Sequence, residues 1–181
     1  IYQLLTAKST FELSQGNVDL ALQYSEKNSQ LIRSNHKMNL PSYRENCTKM
    51  AKIYEAMGEG QKSIDKKLES IELLKLKMAR SKAPDDLYKK ELSIDYNNIS
   101  HVYRNHLNDY RNALKYAKLS LELKSPNEEK SYGISLYSVG RAYDAMQEFD
   151  NALKYYQKAQ QYFIGELPRD IYQRNILDLN I

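Results

Sequence analysis

Three histidines, His36, His101 and His106, and one cysteine, Cys47, are the residues best able to hold a metal or act as base and nucleophile. No histidine has a carboxylate or second histidine at i+4, and a single cysteine excludes both a Cys-based zinc site and an intrachain disulfide. Cys47 falls on an apolar helical stripe, where a thiol packs as a small hydrophobe. No Gly-rich loop follows a strand, and no Ser, His and Asp set stands apart from chance. No catalytic residue, metal or cofactor is therefore expected, which leaves the polar groups of a binding surface.

Bulk charge narrows that surface. The 27 basic and 23 acidic residues are interspersed for a net +4, which argues against a nucleic-acid interface. The one basic cluster, KLKMARSK from Lys75 to Lys82, reads as a solvated helix face. The densest apolar patch, IELLKL from Ile71, is interrupted by Glu72 and Lys75, far short of the roughly 18–20 residues a membrane span needs. Neither nucleic acid nor membrane is expected as a partner of this segment. The chain opens on Ile1 without a leader pattern, which reads as a piece of something longer. Absence of disulfides weakly favours the cytoplasm and leaves open the periplasmic domain of a membrane-anchored protein.

The elements that must position any site are helical. Apolar residues recur three or four apart and β-branched alternation is absent, so the fold class is all-α. Breaks fall at NLPS (Asn39), APDD (Ala83), SPNEE (Ser125) and GELP (Gly165). Pro41, Pro84, Pro126 and Pro168 suit first helical turns, and Ser125 with Glu128 forms a capping box. Helices are predicted near 1–15, 17–35, 41–58, 61–80, 85–106, 109–124, 127–147, 149–163 and 168–180.

The chain also repeats. KIYEAMGEGQKSI, HVYRNHLNDYRNAL and RAYDAMQEFDNAL each place a tyrosine before a short polar turn and a small residue after it. The tyrosines are Tyr54, Tyr103 and Tyr143, and Phe11 is assigned the same place in STFELSQGNVDLAL, giving intervals of 43, 49 and 40 residues. Close approach of two helices requires small side chains at the crossing. These are Ala51, Ser100 and Gly140 on the first helices and Ala21, Ser63, Ala113 and Ala152 on the second, followed by Asn28, Ser70, Ser120 and Ala159. Met50, Ile99 and Val139, with Cys47, Tyr96 and Leu136 one turn earlier, fill the remaining space. The anchor rings are expected to pack on the next helix with their hydroxyls reaching the turn.

In these residues the chain resembles the tetratricopeptide repeat family. The fourth unit carries the full pattern: Leu136, Val139, Gly140, Tyr143, Phe149, Ala152, Tyr155, Tyr156 and Ala159. The third has one extra turn residue, and the first is assigned the same lengthening, with Lys8 at a normally small position. The intervals exceed the family's 34, as in bacterial signalling receptors and motor-protein light chains. The resemblance implies a single α-α superhelix, 1–181, of about four antiparallel hairpins. Its units are about 1–38, 39–82, 83–125 and 126–165, with 166–181 as a capping helix or a truncated fifth unit.

It also implies a concave groove lined by the first helices, receiving Lys52, Asn97, His101, Arg104, Tyr137 and Arg141, suited to an extended peptide or helical partner bearing acidic groups. Leu5, Ser9 and Lys49 on the same lining do not reproduce the carboxylate clamp of chaperone-tail adaptors. The expected function is a non-catalytic protein- or peptide-binding module, the sensory or regulatory portion of a larger bacterial signalling or transcription-control protein. A free-standing adaptor is the alternative, and homo-oligomerisation stays open.

Overall fold

The computed structural model describes residues 1–34, 40–80 and 85–163. His36, Pro84, Pro168, the breaks at Asn39, Ala83 and Gly165 and the expected helix 168–180 lie outside them. Among the described residues all regular structure is helical: α1 Tyr2–Ser14, α2 Val18–Ser34, α3 Leu40–Ala56, α4 Gly60–Arg80, α5 Asp85–Asn105, α6 Tyr110–Glu122, α7 Glu129–Ala145 and α8 Phe149–Gln160. Each consecutive pair, α1 with α2 through α7 with α8, forms a tightly packed hairpin, and each hairpin packs on the next. The predicted capping box opens as a 3-10 turn, Pro126–Glu128, with Asn127 N–H donating to Ser125 Oγ at 3.3 Å, and the α-helix starts at Glu129, two residues later than expected.

The hairpins close where the small residues stand. Ala21, Ala51, Ser63, Ser100, Ala113, Gly140, Ala152 and Ala159 are all buried. At Gly140 a Cβ would sit 2.7 Å from two ring carbons of Tyr156, so glycine is what admits that ring against α7. Large residues fill the gaps between pairs, with Ile64, Ile71, Leu74, Tyr88, Leu92, Ile99 and Val102 forming the cluster between the second and third hairpins. Tyr103 stacks on Tyr116 and Tyr143 on Tyr155, with ring centroids 5.5 and 5.6 Å apart.

Each turn is tied through the main chain of its anchor residue. The carbonyls of Tyr54, Tyr103 and Tyr143 accept from the N–H groups of Glu59, Asp109 and Glu148 at 2.8, 2.9 and 3.0 Å. The residue just before each donor has positive φ: Gly58 (76°), Asn108 (51°) and Gln147 (61°).

This geometry corrects the register of the first unit. There the bond runs from Asn17 N–H to Glu12 O at 2.9 Å, after Gly16 at φ 81°. Glu12, not Phe11, is thus the counterpart of the tyrosines, and Phe11 is 61% exposed. The small crossing residue becomes Ser9, fully buried, instead of Lys8, and the turn is no longer than that of the second unit. An independent bond agrees: Ser9 Oγ donates to Ala21 O at 2.9 Å, as Ser100 Oγ donates to Ala113 O at 2.7 Å. The aromatic ring in STFELS outweighed the small residue two positions before it, although only the small residue is constrained by the crossing.

The register has a direct test in urea titration. Ser9→Leu should cost about 1–3 kcal/mol by overpacking a closed crossing, whereas Phe11→Ala should stay within about 0.5 kcal/mol. The reverse order would restore Phe11 as the anchor.

Candidate binding groove

The first helices α5 and α7 pack side by side. Residues seven apart on a helix return to nearly the same face, so Asn97, His101 and Arg104 of α5 run alongside Tyr137, Arg141 and Asp144 of α7. The structure brings four of the predicted groove residues together. Arg104 and Arg141 are close enough to repel, both act on His101, and the Arg141 guanidinium lies 5.9 Å from the Tyr137 ring centroid. Tyr137 in turn meets Tyr156 of α8 at 5.4 Å, and the Tyr156 hydroxyl donates to Asp144 Oδ2 at 3.3 Å. Gly140, by admitting Tyr156, therefore sets the aromatic wall on which Arg141 rests.

Charge in this patch is only partly compensated, with Asp144 acting on Arg104 without pairing with it. Among the described residues neither Arg104 nor Arg141 has a carboxylate within ion-pair distance. Burial, and then the neighbouring Arg141, lower the basicity of Arg104. Burial, and then the charge of Arg104, hold the His101 imidazole below its usual range, and its Nε2 lies 2.6 Å from Asn105 Nδ2. The one carboxylate reaching toward His101 from α3, Glu55, is already paired with Lys67 at 3.0 Å and accepts from Ser63 Oγ at 3.0 Å.

The two other predicted residues sit differently. Asn97 is half-buried, and its Oδ1 is covered without a hydrogen-bond donor, so it is enclosed by the groove wall. Lys52 is exposed on α3 and lines a separate cleft with Lys49 and Thr10. Leu5 and Ser9, expected on the lining, are buried in the first hairpin. Thr6 and Thr10 take their place, receiving hydrogen bonds from Lys49 Nζ, to Thr6 O at 2.9 Å and to Thr10 Oγ1. The same one-residue shift that displaced Phe11 explains this. Tyr156 and Asp144 were missed as groove elements because only the contact of Tyr156 with Tyr137, and its hydrogen bond to Asp144, give them a role there.

Elsewhere, burial, with the charge of Glu69 second, pushes the Cys47 thiol up to about 12, leaving no thiolate at neutral pH. Among the described residues no three His, Cys, Asp or Glu side chains are grouped to hold a metal ion. Among them, too, no helix is long and apolar enough to cross a membrane.

Stacked helical hairpins with a polar face on their first helices define a helical-repeat solenoid. The tetratricopeptide repeat family profile matches residues 96–127 and 134–162, so the third and fourth hairpins are tetratricopeptide repeats, and the first two continue the same architecture. Comparison with curated proteins finds no match. Among solved structures, the apo form of RapI superposes with a TM-score of 0.70 at 15% identity, covering 89% of this chain and 55% of RapI. The chain thus spans about half the length of that protein, and the likeness is one of fold. BtubC from P. vanneervenii (TM-score 0.43, 12% identity, 92% and 82% coverage) and MamA (0.37, 17%, 85% and 93%) also match.

The electrostatics of the patch can be read by NMR. The His101 pKa should lie below 6.5 and move up in Arg104→Gln, which removes one repelling charge. Because the folded state binds this proton less readily than the unfolded chain, stability is fully present above pH 6.5 and declines as pH falls through the folded pKa. A His101 titration at or above 6.5 would contradict this arrangement.

Proposed function

We infer that the α5–α7 face is a peptide-binding groove for acidic segments, within one repeat domain that runs through the hairpins. The observation that carries the reading is the pair Arg104 and Arg141, partly buried, mutually repelling and without carboxylate partners. Two guanidiniums held this way are short of counter-charge, and a carboxylate between them would relieve the repulsion while accepting forked hydrogen bonds. Tyr137 and Tyr156, their rings tilted by 38°, supply apolar surface for the aliphatic part of the same segment. His101, neutral at pH 7, gains a proton more readily once an anion is bound, so affinity should rise as pH falls toward 6.

In this reading the module is non-catalytic and serves as the sensory or regulatory portion of a larger bacterial signalling or transcription-control protein. Repeat intervals longer than the family's roughly 34 residues support it, since they resemble those of bacterial signalling receptors as well as those of motor-protein light chains. Binding would then be transmitted as a change in curvature of the stack.

Selection of displayed random peptides tests the groove. Enriched sequences should be rich in Asp and Glu, and Arg104→Ala combined with Arg141→Ala should weaken them at least about tenfold, or ~1.4 kcal/mol. Enriched peptides that lack acidic residues, or that bind the double variant equally well, would overturn it. With a bound peptide at saturation, small-angle scattering should change; an unchanged profile would favour the adaptor.

A further inference from the structure

Away from the α5–α7 groove, the first helices share an outer stripe that meets the preceding hairpin. Eleven, eight, four and one residues before the carbonyl that closes each turn stand Ile1, Leu4, Lys8 and Phe11 in the first unit and Tyr43, Asn46, Met50 and Ile53 in the second. The third unit has Leu92, Asp95, Ile99 and Val102 there, and the fourth Tyr132, Ser135, Val139 and Ala142. This spacing keeps the four positions on one side of the helix. In the last three units all are buried except Asp95 and Tyr132, which are half-buried.

The stripe is the seat of the second helix before it. On α3, Asn46 Nδ2 donates to Ser25 O at 2.8 Å and to Ser29 Oγ at 2.7 Å, and Ser29 Oγ donates to Met50 Sδ at 3.6 Å, so α2 lies along it. On α5, Leu92, Ile99 and Val102 pack with Ile64, Ile71 and Leu74 of α4. On α7, Ser135 Oγ lies 3.1 Å from Ser120 Oγ of α6.

On α1 the same stripe is bare. Ile1, Leu4 and Phe11 are 87, 59 and 61% exposed, and Lys8 is exposed among them. A unit that closes a solenoid carries a polar outer face, whereas this one sets three large apolar side chains in water at the spacing of an interface. Lys8 stands level with Met50, Ile99 and Val139. Among the described residues it has no carboxylate within ion-pair distance, and its Nζ lies 5.6 Å from the Tyr24 ring centroid.

We propose that the outer face of α1 is a fourth seat of this kind, covered by an amphipathic helix from the part of the polypeptide that precedes Ile1. In the three seats on α3, α5 and α7 the occupant is always the helix immediately before in the chain, which assigns the new occupant to the same polypeptide. The α2–α3 geometry also sets its sequence. Leu4 stands where Asn46 meets Ser25, so a small residue faces it, and Lys8 stands where Met50 meets Ser29, four positions along the occupying helix. An amine covered there requires a counter-charge, so that position is Asp or Glu. Phe11 becomes the counterpart of the buried Ile53.

Hydroxyl-radical footprinting reads the seat in unmodified protein. Residues 1–181 and the whole polypeptide purified from its source cells are oxidised side by side, with Leu76, 46% exposed on α4, as the reference. Leu4 and Phe11 should react freely in residues 1–181 and at least about tenfold more slowly in the whole polypeptide, with Leu76 unchanged. Lys8→Glu should restore part of their reactivity in the whole polypeptide and change nothing in residues 1–181; protection that it leaves intact would overturn the acidic partner. Equal reactivity of Leu4 and Phe11 in both chains would overturn the seat itself. Protection that survives removal of everything before Ile1 would overturn the upstream source, as would protection in residues 1–181 that grows with concentration, which places a second copy there.

Discussion

Everything in this stack follows from how closely the two helices of each hairpin can approach. A crossing with a side chain larger than alanine or serine would hold the pair apart, and the next hairpin could not nest against it. The constraint is met by alanine, serine or glycine at each crossing, and it propagates outward. In the fourth hairpin the absent Cβ at Gly140 seats Tyr156, Tyr156 supports Tyr137, and Tyr137 carries Arg141. A packing requirement thereby becomes the geometry of a binding face.

Where serine fills the crossing, its hydroxyl is satisfied locally. Ser9 and Ser100 each donate to the carbonyl of the opposing alanine, so burying the group leaves no unmet donor. The device extends between hairpins: Ser120 Oγ, which donates to Ser93 O within the third hairpin at 2.8 Å, lies 3.1 Å from Ser135 Oγ of the fourth. Asn46 of α3 likewise donates to Ser25 O of α2 at 2.8 Å. These buried bonds fix the depth to which one hairpin slides over the next, which apolar contacts alone leave loosely set.

Much of this was legible in the sequence because the small-residue spacing and the helix punctuation report the same periods. The map of α1–α8, the buried alanines and the clustering of His101, Arg104, Tyr137 and Arg141 all follow from register along single helices. The first unit was misread because an aromatic residue drew the alignment, although the conserved feature of the geometry is the backbone bond that closes the turn. That bond uses a carbonyl, which every residue has, so Glu12 serves as well as Tyr54. Lys52 was grouped with the α5–α7 residues because repeat position says which face a residue is on and nothing of how far apart neighbouring first helices stand.

That separation is uneven. α5 lies against α7 and α1 against α3, whereas α3 and α5 come less close, and the span is crossed by Arg44 reaching Glu91 and Asp95. On the opposite side α4 and α5 remain firmly packed. The seam is thus fastened by apolar contact on one edge and by a forked ion pair on the other. Because Arg44, Glu91 and Asp95 are largely covered, dissolved ions screen this fork less than they would a surface pair, so the midpoint of the solenoid is clasped on both edges.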